Sequence, residues 1–191
     1  MTLTIRHATG CDLPRVVEIT NHYIAETVIH FSTAPWTIEQ ARAEFDAGQR
    51  LLPFLVAEEA GRLVGFARAS KWKSRCAYEW AVETGIYLDP SVRSRGIGRR
   101  LYAELFDILL RQGYRTIIGG IALPNEASVR LHESMGMTRT ALFPKVGYKM
   151  GRWIDVAYWT LELGDGVSPP ASIRPVAEVA GIAPDCPPKK K

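Results

Sequence analysis

One stretch, Ile86-Tyr-Leu-Asp-Pro-Ser-Val-Arg-Ser-Arg-Gly-Ile-Gly-Arg-Arg-Leu101, constrains the fold more than any other part of the chain. A β-rich run ends at Leu88, and Asp89-Pro90 breaks it. A short loop holding Arg93, Ser94, Arg95, Gly96 and Gly98 then passes at once into a helical pattern. Ile97, Leu101, Leu105, Ile108 and Leu109 form the apolar stripe of that helix, and Gly113 supplies its stop. Glycines at a helix entrance let backbone N–H groups converge on an anion, and the helix N-terminus adds its dipole. Arg93, Arg95, Arg99 and Arg100 add positive charge. The form is that of a pyrophosphate cradle. It is not a P-loop, because no Gly-Lys-Ser/Thr is present. Nor is it a dinucleotide fingerprint, because position 101 is Leu where a third glycine belongs and the unit does not open the chain. A basic strand-to-helix turn with no ligand is the plainer reading of this segment alone.

The rest of the body alternates strand and helix patterns. Leu3 and Ile5 suggest a short first strand. Leu13, Val16, Val17, Thr20 and Ile24 recur at helical spacing, with Asp12 as a candidate N-cap. Thr37-Ile-Glu-Gln40 fits a capping box. Residues 53–59 and 62–70, joined by Ala60-Gly61, read as a β-hairpin. Residues 78–88 read as a long strand, 116–121 as a buried strand, 125–135 as a helix and 155–163 as a final strand. Such alternation implies an α/β protein with a mixed sheet. After Leu163 the pattern changes: Gly164 to Lys191 carries six prolines and ends in three lysines. The expected organisation is a domain over 1–163 and an extended tail over 164–191 lying outside the core.

Hydrophobic residues make up 47% and charged residues 23% of the 191, a globular balance that excludes a disordered or fibrous chain. Twenty-four basic minus twenty acidic residues leave +4. That suits an anionic small ligand and is too weak to argue for nucleic acid. Cys11, Cys76 and Cys186 are odd in number and far apart, so neither a disulfide framework nor a zinc site is expected. The first residues lack the basic-then-apolar order of a signal peptide, and no run reaches membrane-spanning length. The default expectation is a cytoplasmic protein with reduced thiols and no membrane partner.

Arg93-x-x-Gly96-x-Gly98, between a strand and a helix, resembles the acetyl-CoA loop of the GNAT N-acetyltransferases. Asn125 opening the next helix, with a proton-handling residue seven positions on, is that family's second landmark; here His132 replaces the usual Tyr, and Met137 the usual Phe. Trp72-Lys-Ser-Arg-Cys-Ala-Tyr78, Val82-Glu-Thr-Gly-Ile-Tyr-Leu88, Leu123 to Glu133 and Val146 to Val156 resemble the phosphinothricin and methionine sulfone/sulfoximine N-acetyltransferases. The resemblance implies a mixed, mostly antiparallel central sheet flanked by helices, with splayed strands forming an acetyl-CoA cleft. It also implies acetyl transfer to the α-amino group of a small glutamate- or methionine-like amino acid by direct attack, with no metal.

On that resemblance, the backbone of Ile86, Tyr87 and Leu88 pairs with the pantetheine arm. Arg93, Ser94, Arg95, Gly96, Ile97, Gly98 and Arg99 hold the pyrophosphate, and Asn125 and Ser128 lie by the thioester. For Asn125 an N-cap role is compatible with this. The attacking amine must first lose a proton, and a carboxylate in a partly desolvated site can take it. Glu83, an acidic residue inside a β-rich run, is the candidate base. His132 is the second proton-handling candidate, either giving a proton to the departing thiolate or helping remove one from the amine. Lys73, Arg75 and Tyr78 form a candidate anion grip for the acceptor, with Phe31 and Trp36 either a lid wall or ordinary core aromatics. A homodimer, with Tyr158-Trp159 as a contact, is also implied. Acetylation of a protein N-terminus or an antibiotic amine is the alternative activity, and a non-catalytic acyl-CoA-binding module the alternative class.

Overall fold

The computed structural model describes residues 3–92, 95–164 and 169–180. Strand β1 (Leu3–His7) leads into helix α1 (Leu13–Glu26) and then α2 (Ile38–Gly48). A hairpin of β2 (Phe54–Glu59) and β3 (Arg62–Lys71) follows, then β4 (Ala81–Leu88) and α3 (Ile97–Gln112). Next come β5 (Thr116–Ala122), α4 (Glu126–Ser134), β6 (Thr138–Lys149), β7 (Arg152–Glu162) and a short α5 (Val176–Ala180). The seven strands make one sheet in the order β1-β2-β3-β4-β5-β7-β6. Every neighbouring pair is antiparallel except β4 and β5.

Local chemistry explains the helix ends. Thr37 Oγ1 accepts from Gln40 N at 3.2 Å while Thr37 N donates to Gln40 Oε1 at 3.0 Å, the capping box expected at α2. Gly96 (φ 72°) and Gly113 (φ 101°) bracket α3 in the left-handed region, which costs a glycine no Cβ clash. Asp12 occupies the N-cap position of α1 as expected, though its side chain is used elsewhere. It ends a 3-10 turn over Gly10–Asp12, and its carboxylate binds Arg6 and Thr9 N at 2.8 Å, with no side-chain cap on α1.

Helices cover both faces of the sheet. On one face Leu101, Leu105, Ile108 and Leu109 of α3 pack on Leu55, Ala67, Val82 and Ile117. On the other, Leu13, Val16 and Ile19 of α1 and Phe45 of α2 pack on Val56, Leu63 and Phe66. The α3 stripe is the one legible in the sequence, as are Leu13 and Val16 of α1, while Ile19 and Phe45 add to the α1 side.

Three features differ from the sequence-based expectation. The long strand starts at Ala81, because residues 76–78 form a 3-10 turn. Strand β6 was not foreseen: most of its residues are exposed, so it carries no inside–outside alternation to read. And residues 169–180 dock instead of lying free. Trp80 Nε1 donates to Ala171 O at 2.7 Å, Gln112 Nε2 to Arg174 O at 2.8 Å, and Val176 N to Arg50 O at 2.9 Å. Val176 is buried, and Ile173 and Val179 pack on the α3 core. Burial of these apolar residues holds the segment, which its proline content concealed.

Candidate active site

Strands β4 and β5 pair only at Ala81–Thr116, Val82–Ile117 and Glu83–Ile118. Beyond that the two strands part, while β4 stays paired with β3 to Leu88 and β5 with β7 to Ala122. The β5-facing edge of Gly85–Leu88 therefore opens onto a wedge. Buried side chains fill its base. Tyr102 from α3 and His132 from α4 line it beside Thr84, Gly120 and Asn125. Gly119 is required there: a Cβ on it would lie 2.6 Å from the His132 ring.

A cleft of about 520 Å³ leads away from the wedge along Ile86, Tyr87, Leu88, Asn125 and Ser128. Asn125 caps α4, its Oδ1 accepting from Ser128 N at 3.2 Å. Tyr23 OH donates to Leu88 O at 2.8 Å, so a residue of α1 fixes the end of β4. Asp89 anchors the turn that follows. Its carboxylate accepts from Arg15, from Arg62 at 2.8 Å and from Ser91 N at 2.9 Å. Burial pushes its pKa up, but these donors outweigh burial and hold it below the usual value.

Around the helix entrance the outcome is mixed. Arg93 and Ser94 lie outside the described residues. Gly96 and Ile97 open α3 as expected. Arg95 is engaged by Glu59, with contacts of 2.5 and 2.8 Å. Gly98 is buried against α4, where a Cβ would lie 3.1 Å from Leu131, so helix packing accounts for it as well as any ligand does. Arg99 lies in the exposed first turn.

A second cavity, about 640 Å³, lies on the opposite side of the wedge. Phe31, Trp72, Lys73, Glu83, Val146 and Tyr158 line it. Glu83 is half-buried, and that burial raises its carboxyl pKa against the pull of Lys73. Lys73 Nζ rests 4.6 Å from the Trp72 ring centroid. Ile29 lines this cavity, the wedge and the long cleft, so the three spaces meet beneath the α1–α2 loop.

His132 is buried and fully engaged. Its Nδ1 lies 2.8 Å from Ser128 O, which can only accept, so Nδ1 carries the proton. Nε2 then accepts from Tyr102 OH at 3.3 Å. Burial lowers the His132 pKa, and the bond to Ser128 only partly offsets this, so the ring is neutral near pH 7. Burial also raises the Tyr102 phenol, which keeps its proton.

Other candidates are dispersed. Arg75 and Tyr78 line a separate cavity of about 350 Å³, with Leu51, Cys76 and Tyr114, and do not join Glu83. Lys73 borders this cavity too, and of the three loop residues it alone also reaches the Glu83 cavity. Trp36 lies apart as well, in a small space with His30 and Phe66, under the Arg68 guanidinium. Trp159 is buried, which excludes it as a contact surface, while Tyr158 lines the Glu83 cavity. Ile29, Trp72, Tyr102 and Tyr158 were missed. In the sequence Trp72 stands out only as part of the Trp72–Tyr78 motif, and Tyr158 only as an expected dimer contact. Cys76 is a free exposed thiol, but Cys11 is disulfide-bonded, against the expectation of reduced thiols. Among the described residues no cluster of His, Cys, Asp or Glu could hold a metal ion, and no helix is long and apolar enough to cross a membrane.

Comparison with known proteins places the whole chain in a family context. The model of the acetyltransferase (GNAT) family matches residues 17–137. A phosphinothricin N-acetyltransferase of Streptomyces viridochromogenes is 38% identical over 92% of this chain and 95% of its own. An L-methionine sulfoximine/L-methionine sulfone acetyltransferase of Salmonella typhimurium is 36% identical over 88% of this chain and 99% of its own. A crystal structure of a GNAT superfamily phosphinothricin acetyltransferase from Sinorhizobium meliloti, in complex with acetyl-CoA, superposes with a TM-score of 0.84. It is 31% identical and covers 97% of each chain.

Proposed function

The chain belongs to the acetyltransferase (GNAT) family and is an acetyl-CoA-dependent N-acetyltransferase; from that premise we propose that its acceptor is the α-amino group of a small, anionic, glutamate- or methionine-like amino acid. Phosphinothricin, methionine sulfoximine and methionine sulfone are the candidate substrates. The observation that carries this reading is the cavity in which Glu83 and Lys73 face Phe31, Trp72 and Tyr158, joined through the wedge to the long cleft.

The residues present fit acetyl-CoA. The cleft offers the β5-facing edge of Ile86–Leu88 and polar groups at Asn125 and Ser128, and the turn after β4 leads to the N-terminus of α3 at Gly96. When bound, acetyl-CoA supplies the activated acyl group. Glu83 takes the proton of the acceptor amine, directly or through water. Its raised pKa brings it closer to the amine and makes it a better base than an exposed carboxylate. Lys73 draws in the acceptor's anionic group, and the aromatic walls exclude water around its methylene chain. Tyr102 and His132 form a hydrogen-bonded pair at the base of the wedge, and we assign Tyr102 proton delivery to the departing thiolate: its O–H turns from His132 Nε2 to the sulfur, and the phenolate left behind regains a proton from solvent once the thiol has gone.

The same reading includes a homodimer in the cytoplasm, where acetyl-CoA is at hand. Leu142, Phe143, Val146, Tyr148, Met150 and Trp153 are all exposed on the β6–β7 hairpin. So many exposed apolar side chains on one hairpin suit a second copy of the chain better than solvent.

A thiol-release assay tests the function, run with phosphinothricin, methionine sulfoximine, methionine sulfone and an N-terminal peptide. Turnover of the amino acids ahead of the peptide is expected. Acetyl-CoA binding without turnover of any amine would overturn the reading in favour of a binding module.

A further inference from the structure

Lys149, the last residue of β6, is a buried lysine with no part in the chemistry above. Its Nζ donates to Ile24 O at 2.6 Å and to His30 O at 2.7 Å. Ile24 lies in the last turn of α1, where backbone carbonyls have no partner within the helix. An ammonium there satisfies one of them and meets the negative end of the helix dipole. His30 lies on the far side of the turn that leaves α1. One cation thus ties together the two ends of a short loop.

That loop reaches both halves of the candidate site. Ile29 lines all three joined spaces and Phe31 the Glu83 cavity. Val28 anchors the loop from below, packing on Ala122 of β5 and Ile154 of β7. Phe31 also rests on the strand that carries Lys149, since a Cβ on Gly147 would lie 2.3 Å from its ring. Burying an ammonium is costly unless it is well hydrogen-bonded, and a neutral residue would hold two apolar-packed elements together at lower cost. Here the cation joins the two carbonyls that set the loop's span.

We propose that Lys149 is a positioning residue for the acceptor. By joining Ile24 O to His30 O, it holds Ile29 and Phe31 as the wall between the acyl cleft and the acceptor cavity. The kinetic half of this proposal rests on the acetyl-transfer reading, and the structural half does not.

The test uses the full chain. In Lys149→Met, hydrogen exchange at the amides of residues 28–31 should quicken about tenfold or more while α3 is unchanged. KM for phosphinothricin should rise about tenfold, with kcat within about threefold and acetyl-CoA affinity little altered. Lys149→Arg, which keeps the donors, should recover part of that KM. Unchanged loop exchange overturns the proposal, and so does a loosened loop with unchanged KM. Wild-type protein that turns over no acceptor overturns the acetyl-transfer reading, and the exchange comparison alone then decides the loop-holding role. Should Lys149→Met fail to fold, Gly147→Ala displaces Phe31 without touching the buried charge. A raised acceptor KM in that variant supports the positioning role of the loop, and an unchanged KM overturns it.

Discussion

The Tyr102 hydroxyl lies 3.3 Å from His132 Nε2, at the base of the wedge where β4 parts from β5. Because Ser128 O fixes the proton on Nδ1, the imidazole meets Tyr102 as an acceptor. The histidine therefore orients the phenol and has no nitrogen left to face a ligand. Tyr102→Phe should lower kcat at least about tenfold with a smaller effect on acceptor KM. It should also cost about 1–3 kcal/mol in stability, since Nε2 is left buried without a donor. Steady-state kinetics and denaturant unfolding check both, and an unaltered kcat would remove Tyr102 from proton delivery.

Glu83→Gln removes the base while keeping the shape of the cavity. A positioned base contributes roughly 10²–10⁴ in rate, so a kcat loss within that range is expected. The deficit should shrink at alkaline pH, where more of the amine is already deprotonated. In the wild type, the acid limb of kcat/KM should fall above the ordinary carboxylate range, because burial raises the Glu83 pKa. A pH–rate profile reads both effects.

Lys73 and Arg75 should separate. Lys73 lines the Glu83 cavity as well as the one that Arg75 borders, whereas Arg75 does not line the Glu83 cavity. Lys73→Ala should raise KM for phosphinothricin about tenfold, in keeping with loss of a charge-assisted contact. Arg75→Ala should change it less than about twofold. Equal effects would show that the loop carrying Arg75 reaches the acceptor after all.

Trp153→Glu places a charge in the exposed apolar face of the β6–β7 hairpin, where Trp153 packs edge-on to Tyr148. A dimer built on that face should become a monomer, read by light scattering coupled to size-exclusion chromatography. Retention of the dimer would move the contact elsewhere.

Stability should fall as pH drops from 7 toward 5. His132, His30 and His7 all have pKa values lowered by burial. In the folded state each stays neutral below pH 6.5, whereas the unfolded chain takes up the proton there. The unfolded state therefore binds more protons, and stability declines as pH falls through about 6.5. Glu83 works in the opposite sense, since its raised pKa lets the folded state bind a proton first. Asp12 and Asp89, held low, lose their contribution only below the ordinary carboxylate pKa. Thermal midpoints across this range test the sign, and a His132→Gln variant should show a shallower slope.

Much of the donor side was legible because it is local. A strand, a breaker, a glycine loop and an amphipathic helix follow one another within a few turns, so their order in sequence is their order in space. Asn125 capping α4 and the Thr37–Gln40 box were readable for the same reason. The acceptor side was not. Lys73, Arg75 and Tyr78 are near neighbours in sequence and border one cavity, yet of the three only Lys73 also lines the cavity of Glu83. Phe31 and Glu83, far apart in sequence, share one. Strand β6 escaped notice because its exposed edge carries no alternating pattern.

The sequence by itself determined the element types, the helix caps, the two core stripes and the family resemblance. Each of these depends on side-chain period or on contacts within one turn. Tertiary structure decided which strands part, which cavity each candidate enters, that His132 spends both nitrogens, and that Lys149 fastens the loop over the site. Most of those outcomes depend on contacts between residues 30 or more positions apart, such as Tyr102 with His132 and Lys149 with His30, although Nδ1 of His132 is held by Ser128 within its own helix. No local preference encodes such pairings; they form only when burial of the core brings the elements together.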